Sequence, residues 1–91
     1  MIPERRIDTT PHFDHALTHF LKAHPDLREK TLVLIDRLAI DPFDPRNKTH
    51  RLSGPLKSLW GAHISFQYRL IFAISDDAIL LINTGSHDEV Y

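Results

Sequence analysis

The spacing of the hydrophobic residues changes halfway along this chain, and this change restricts the possible folds more than any other feature of the sequence. In the first half, apolar residues recur every three or four positions, which is the pattern of a helix packed on one side. In the second half, strand-like runs rich in apolar residues are separated by short polar turns. Helices that come first and strands that follow predict an α+β domain, in which helices cover one face of an antiparallel sheet.

Two helices are predicted before residue 41. Thr10 is a favourable N-cap and Pro11 has no N–H to leave unsatisfied, so the first helix begins there and ends at His24. Its apolar stripe consists of Phe13, Ala16, Leu17, Phe20 and Leu21. The second helix runs from about Pro25 to Ile40. Its apolar face consists of Leu27, Thr31, Leu34, Ile35 and Leu38. The tight proline turn between the helices makes them antiparallel.

Strands are predicted on both sides of the helices. A short first strand, from Arg5 to Asp8, precedes them. The segment from Asp41 to Lys48 contains two prolines and no hydrophobic period, so it is a loop. Three strand-like runs follow it: roughly Leu59 to Ser65, Tyr68 to Ile74 and Ala78 to Asn83. The predicted order of elements is therefore β-α-α-β-β-β.

The chain has 91 residues, which is enough for one hydrophobic core but not for two. We therefore predict a single domain over residues 1–91, and in a domain this small any active site is a shallow surface groove. The sequence has no cysteine, which excludes disulfide bonds, thiol catalysis and thiolate metal sites. Neither an apolar leader segment nor a run long enough to cross a bilayer is visible, so we expect a cytoplasmic protein without a membrane partner.

Charge is distributed unevenly along the chain. The net charge is −1, which by itself argues against a general nucleic-acid-binding protein. Between Pro45 and Ser75, however, there are five basic residues and no acidic ones. The five are Arg46, Lys48, Arg51, Lys57 and Arg69. This segment predicts a local positive field suited to a phosphodiester backbone, although a solvated loop without a ligand is an alternative.

Four segments of the second half carry a resemblance to a known family. They are Leu52-Ser53-Gly54, Leu59-Trp60, Tyr68-Arg69-Leu70-Ile71-Phe72 and the ending Thr84-Gly85-Ser86-His87-Asp88-Glu89-Val90-Tyr91. Together with the order of elements, they resemble the RelE superfamily of ribosome-dependent ribonuclease toxins over nearly the whole chain. The resemblance implies a RelE-like fold, a cognate antitoxin as partner, and messenger RNA cleaved on the ribosome as substrate.

Within that superfamily, three histidines make the chain most similar to the YafQ-type messenger RNA interferases of type II toxin-antitoxin systems. In that branch, the histidines equivalent to His50, His63 and His87 serve RNA cleavage. Two positions depart from the branch, because Gln67 stands in place of an aspartate and Asn83 in place of an arginine. The resemblance therefore implies a site that combines features of several branches.

RNA cleavage of this kind needs a base for the ribose 2′-hydroxyl, an acid for the leaving 5′-oxygen and a cation for the charge that develops on the phosphate. We assign His87 and His50 to the acid–base pair, because neutral and protonated imidazole coexist near neutrality. The sequence leaves open which of the two is the acid. His63 is assigned a further proton-transfer or phosphate-binding role. Arg69, which is similar to the arginine that contacts the scissile phosphate in the RelE and YoeB branches, is assigned to transition-state stabilisation. No metal or other cofactor is expected.

Five residues are predicted to bind RNA: Lys48, Arg51, Lys57, Gln67 and Tyr91. Tyr91 is expected to stack on a base of the message or to extend the proton relay, since single-stranded RNA is commonly held by aromatic side chains. Each assignment has a structural alternative. The histidines would then be ordinary loop, strand or terminal residues, and Arg69 would pair with an acid inside the domain.

Two other functions are compatible with the sequence. A ParE-like protein with this fold would inhibit DNA gyrase by binding it, without catalysis. A decayed toxin would serve only as the partner of its antitoxin, an alternative that the departures at Gln67 and Asn83 motivate. A zinc site at His15 and His19, four residues apart on the first helix, is less favoured than a solvated helix face.

Overall fold

A computed structural model describes residues 4–91, so the first three residues of the predicted domain lie outside the described range. Strand β1 (Arg6–Thr9) precedes helices α1 (Pro11–Ala23) and α2 (Arg28–Ile40). Strands β2 (His50–Arg51), β3 (Trp60–His63), β4 (Tyr68–Ile74) and β5 (Ala78–Ser86) follow, and helix α3 (His87–Val90) comes last. Helices first and strands afterwards is the order that the hydrophobic spacing predicts.

The start of each long helix is set by the residues just before it. Thr10 caps α1, because its Oγ1 accepts a hydrogen bond from a backbone N–H of the first turn at 3.0 Å. Helix α2 begins at Arg28 rather than at about Pro25. The reason is a short 3-10 turn, Pro25–Leu27, whose last N–H donates to the carbonyl of His24. Among residues 4–91, neither these helices nor the short third one is long and apolar enough to cross a bilayer.

The five strands form one sheet in the order β1-β5-β4-β3-β2. Strands β2 to β5 pair antiparallel with their neighbours, as predicted, but β1 pairs in parallel with β5, with Ile7 opposite Ile79. The expectation of a wholly antiparallel sheet is therefore corrected at this one pair. The two strands are far apart in sequence, and the helices and strands between them supply the long connection that a parallel pair requires.

Besides α2, several elements differ from the prediction or were not predicted, and β1 is displaced by one residue, to Arg6–Thr9. Strand β2 has two residues and α3 has four, which is too few to show a hydrophobic period. Strand β3 is shorter than the predicted run from Leu59 to Ser65, and β5 extends to Ser86 rather than to Asn83. The two unpredicted elements carry the predicted site residues His50 and His87.

The hydrophobic core lies between the helices and one face of the sheet. Its buried residues are Phe13, Phe20, Leu27, Leu34, Leu38, Ala62, Ile64, Leu70, Phe72, Ile79 and Leu81. The predicted alternation along β4 is confirmed, because Leu70 and Phe72 belong to this core whereas Ile71 packs on the other side with Leu52 and Val90. We call that second side, opposite α1 and α2, the open face of the sheet. Only short segments cover it, which leaves room for a surface site.

Candidate active site

Three of the predicted histidines meet on the open face of the sheet. His50 comes from β2, His63 from β3 and His87 from the first position of α3. The ring centroids of His50 and His63 are 5.7 Å apart. The ring centroid of Tyr91 lies 5.9 Å from that of His50 and 4.4 Å from that of His87. We call these four residues, which come from three separate parts of the sequence, the histidine cluster.

Gly61 forms the floor of the histidine cluster. In the β2–β3 pair it lies opposite His50, and it precedes His63 by two positions, so all three residues are on the same face of the sheet. A Cβ atom on Gly61 would lie 2.5 Å from the Tyr91 hydroxyl oxygen and 3.0 Å from His50 Nε2. Gly61 is therefore a site residue that the sequence analysis missed. Its signal was a glycine inside a strand, which often marks a close approach of other atoms to the backbone.

Helix α3 is fixed by hydrogen bonds at its first residues. The Glu89 N–H donates to Ser86 Oγ at 3.3 Å, and the Ser86 N–H donates to Glu89 Oε1 at 3.0 Å, which is a capping box. The His87 N–H donates to the carbonyl of Gln67 at 2.9 Å, which ties α3 to the β3–β4 hairpin. These bonds position both His87 and Tyr91.

The hydrogen bonds of His50 determine its neutral tautomer. His50 Nδ1 is 3.0 Å from the carbonyl oxygen of Lys48. Because a carbonyl oxygen can only accept, Nδ1 carries the proton, and Nε2 accepts from the Tyr91 hydroxyl at 2.6 Å. Burial raises the pKa of the Tyr91 phenol, although the charge of Arg69 acts in the opposite direction. Tyr91 is therefore a neutral hydrogen-bond donor to His50 near neutral pH.

The surroundings of His63 favour its neutral form. Burial lowers its pKa, and repulsion from Arg69, from Lys48 and from the protonated forms of His50 and His87 lowers it further. The imidazole of His63 is therefore neutral at pH 7. A neutral imidazole can accept a proton, whereas it is a poor source of one.

Arg69 lies beneath the open face and is only 7% exposed. Its Nη1 donates to the carbonyl oxygen of Ser65 at 2.9 Å and also to that of Phe66, so it holds the β3–β4 turn. Its Nε is buried without a hydrogen-bond partner among the described residues. Arg69 lies opposite His63 in the sheet and lines a groove of about 450 Å³ together with Gln67 and His87. The guanidinium is thus close to the cluster, and its Nη1 is engaged by backbone carbonyls.

A model of the family described as "bacterial toxin of type II toxin-antitoxin system, YafQ" matches residues 5–91. The chain belongs to the YafQ family of toxins. The toxin YoeB of Synechocystis sp. is 30% identical over 73 residues, which are 80% of this chain and 85% of that protein. Both findings confirm the predicted membership of the RelE superfamily.

Solved structures share the fold of this chain. The crystal structure of YafQ from E. coli strain BL21(DE3) has a TM-score of 0.81 at 24% identity, and the match covers 97% of this chain and 99% of that one. A chain of the E. coli DinJ-YafQ toxin-antitoxin complex has a TM-score of 0.73 at 21% identity, with 97% and 98% covered. The predicted fold of a RelE-like toxin is therefore confirmed.

The other predicted RNA-binding residues of this YafQ-family toxin lie in two different places. Gln67 lines the groove that also contains His87, and Lys48 lines a groove that contains His63. Arg51 directs its guanidinium over the Trp60 ring, 5.1 Å from the centroid, and Trp60 packs against the helix-side core. Arg51 also lines the groove of about 330 Å³ that contains His50, His87 and Tyr91. Lys57 shares a separate groove with Arg51. The sequence did not show that neighbours in β2 point to opposite faces of the sheet.

Asn83, the second departure from the YafQ pattern, lies outside the histidine cluster. Its Oδ1 is 3.2 Å from Nε2 of His12 in α1 and also accepts from the Thr84 N–H at 2.9 Å. Asn83 therefore connects β5 to α1 in this toxin. Within residues 4–91, no group of three or more His, Asp or Glu side chains is arranged to hold a metal ion.

Proposed function

We propose that this YafQ-family toxin is a ribosome-dependent endoribonuclease that cuts messenger RNA without a metal ion or other cofactor. One observation carries the proposal: three imidazoles and one phenol meet on the open face, beside shallow grooves. Imidazoles are the side chains best suited to exchange protons near neutral pH, and phosphodiester cleavage needs two such exchanges. A domain this small has little surface with which to position RNA by itself, and this favours a reaction in which the ribosome holds the message.

The proposed reaction starts with attack of a ribose 2′-oxygen on the adjacent phosphorus. The new O–P bond forms as the bond to the 5′-oxygen breaks, which gives a 2′,3′-cyclic phosphate and a 5′-hydroxyl end. One imidazole takes the proton of the 2′-hydroxyl and another gives a proton to the 5′-oxygen. We assign these roles to His50 and His87, whose rings both contact Tyr91. His63, which is neutral at pH 7, is suited to accept a proton or a hydrogen bond from the substrate.

Two cations are available for the charge that develops on the phosphate. Arg69 and Lys48 both lie close enough to His63 to lower its pKa. Because Nη1 of Arg69 is used by the β3–β4 turn, we assign Arg69 mainly to positioning that turn, with its charge acting from beneath the groove. Lys48 is exposed and is the cation that a phosphate would meet first.

We propose that a cognate antitoxin neutralises this toxin, as expected for a member of a toxin-antitoxin family. The structure of the E. coli relative as a DinJ-YafQ toxin-antitoxin complex supports this partner class. The shallow grooves beside the histidine cluster have volumes of about 450 and 330 Å³ and are open to solvent, so a bound polypeptide could cover them. We place the three partners, messenger RNA, ribosome and antitoxin, on this same open face.

The proposed function is tested by incubating the toxin with ribosomes programmed with a defined message and mapping the cuts by primer extension. Free RNA serves as the substrate control. His87→Ala should lower the cleavage rate by at least about 100-fold, the usual contribution of an acid–base group. His15→Ala, on the exposed side of α1, is the matched histidine control and should cleave at the wild-type rate.

The same preparation distinguishes the remaining function classes. Uncut message in the presence of folded wild-type toxin would contradict the proposal. A supercoiling assay with DNA gyrase then reports whether the toxin acts by binding that enzyme instead. If His87→Ala cleaves the message at the wild-type rate, the proposed endonuclease activity stands but the assignment of His87 is contradicted.

A further inference from the structure

Phe66 is the large apolar side chain that is most exposed among those of the described residues, with 87% of its surface in water. A single exposed apolar residue needs no explanation in general. The position of Phe66 is what distinguishes it, because its ring lies at the tip of the β3–β4 turn, between two grooves. One groove contains His87 and the other contains His63, and Phe66 lines both.

The backbone beneath Phe66 is held in place. Arg69, which is buried, donates from Nη1 to the carbonyl oxygens of Ser65 and Phe66. The turn is also tied to α3 by the bond from the His87 N–H to the carbonyl of Gln67. The ring is therefore presented from a fixed turn, which reduces the entropy lost when a flat ligand stacks on it.

The groove on the His63 side is basic. It has a volume of about 510 Å³ and is lined by Phe66, His63 and the side chains of Arg37, Arg46 and Lys48. Two of these charges are partly satisfied, since Arg37 donates to Asn47 and Arg46 pairs with Asp44 at 2.8 Å. We call this groove the basic groove.

Lys48 has no such partner among the described residues, and its backbone is unusual. Its φ angle of 52° lies in the left-handed region, and among residues 4–91 it is the one non-glycine residue with a positive φ. Such a conformation costs about 1–3 kcal/mol and persists where the surroundings impose it, often at functional sites. Here the same residue gives its carbonyl to His50 and lines the basic groove with its side chain.

From these contacts we infer that the basic groove binds the nucleotide next to the cleaved bond, with its base stacked on Phe66 and its phosphate at Lys48. A positive groove that carries an exposed aromatic ring is the combination that binds single-stranded RNA with little sequence preference. The groove adjoins the histidine cluster through His63, so the two sites form one continuous path for the message. This inference rests on the proposed endonuclease function, and it adds the path by which the substrate is held.

The inference is tested by cleavage on programmed ribosomes with wild type, Phe66→Ala, Phe66→Trp and Phe43→Ala. Stacking of one base contributes a factor of about 5 to 150 to binding, so Phe66→Ala should raise KM by that factor while kcat changes little. Phe66→Trp should keep the wild-type KM. Phe43 is the matched control, because it is an exposed phenylalanine that packs on Trp60 and lines neither groove.

Fluorescence shows whether a base stacks on the ring. Messages are made with 2-aminopurine at single positions around the cut, and with a 2′-deoxy nucleotide at the cut so that they stay intact. Wild type should quench one position, Phe66→Trp should quench the same position, and Phe66→Ala should not. The binding of Lys48→Asn to free single-stranded RNA should show a salt dependence weaker by about 0.7 in the log–log slope, the value for one phosphate contact on a single strand.

The outcomes separate this inference from the proposed function. If Phe66→Ala cleaves with the KM and the quenching of wild type, the base does not stack on Phe66, and the endonuclease proposal stands without it. If the folded wild type cleaves no message, both proposals are overturned. Loss of cleavage in Phe66→Ala through kcat alone would also contradict stacking, because substrate binding would then be unchanged.

Discussion

Gly61 has no side chain, and this absence makes room for the hydrogen bond between Tyr91 and His50. A Cβ atom on Gly61 would lie so close to the Tyr91 hydroxyl and to the His50 ring that even a methyl group must displace one of them. We expect Gly61→Ala to lower the cleavage rate on the order of 100-fold, as misplacement of a catalytic group by about 1 Å can do. The check is a measurement of kcat together with the thermal unfolding midpoint, which should show that the domain still folds.

A double-mutant cycle identifies the atom responsible. Tyr91→Phe removes the hydroxyl that the new methyl group would meet at 2.5 Å. Gly61→Ala made in the Tyr91→Phe protein should therefore cause much less further loss than it causes in wild type. Equal losses in the two backgrounds would mean that the methyl group acts elsewhere.

His63 gives a pH prediction whose sign follows from its environment. Burial and nearby cations lower its folded pKa below the ordinary value of 6.5, so the unfolded chain binds this proton more readily. The resulting stability is therefore fully present above about pH 6.5 and is lost as the pH falls from there toward the folded pKa. His63→Gln removes this loss, so between pH 7.5 and pH 5 its free energy of unfolding should decrease less than that of wild type.

Urea unfolding at several pH values checks this prediction, with His15→Gln as the matched variant. His15 lies on the exposed side of α1, so its replacement reports the effect of removing a histidine outside the cluster. Parallel pH profiles for His63→Gln and wild type would contradict a lowered pKa for His63.

Helix α3 shows how a short element can carry much of a site. Its four residues have no room for a hydrophobic stripe, and its position depends on the capping box between Ser86 and Glu89 and on Val90 packing against the sheet. Both His87 and Tyr91 are placed by it. We therefore expect errors in its placement to affect the proposed cleavage more than they affect the stability of the domain.

Two N-cap substitutions separate these effects. Ser86→Ala removes the cap of α3 and Thr10→Ala removes the cap of α1, and each should cost about 1 kcal/mol of unfolding free energy. Only Ser86→Ala should also reduce cleavage, because of these two helices only α3 contributes residues to the cluster. Urea unfolding and the cleavage assay measure the two quantities. Equal cleavage by the two variants would show that the cap does not hold the site.

The elements that sequence reasoning predicted are those with a repeated pattern. The stripe from Phe13 to Leu21 predicted α1, and the alternation of Leu70, Ile71 and Phe72 predicted which residues of β4 face the helices. Strand β2 and helix α3 could not be found in this way, because two or four residues contain no period. The sheet order was also hidden, since β1 pairs with a strand some 70 residues away.

The candidate site was predicted by residue type but not by geometry. The histidines were visible as proton-transfer groups, whereas their meeting depends on the register of β2 against β3 and on the bond from His87 to the β3–β4 turn. The burial of Arg69 was not visible either, because an arginine in a strand can serve a ligand or a backbone turn equally well.

At the scale of the whole molecule, the two faces of the sheet are unequally covered. The helix side buries a cluster of eleven hydrophobic residues, whereas the open face buries three, Leu52, Ile71 and Val90, with Leu56 and Leu59 partly buried beside them. The free energy of local unfolding of a segment increases with the apolar surface that its unfolding exposes. The short segments on the open face should therefore unfold locally, without global unfolding, and His50, His87 and Tyr91 belong to them.

Amide hydrogen exchange followed by NMR tests this difference. The amides of Glu89 and Tyr91 in and after α3 should exchange with a lower free energy than those of Leu70 and Phe72 in β4. Leu52→Ala should accelerate exchange in α3 with a smaller effect on β4, because Leu52 packs only on the open face. The matched change on the other side, Phe20→Ala, should cost about 3–5 kcal/mol and accelerate exchange in β4 as well, because Phe20 belongs to the helix-side core. Equal exchange free energies for α3 and β4 would mean that both faces unfold as one unit, and the site would then be as rigid as the core beneath it.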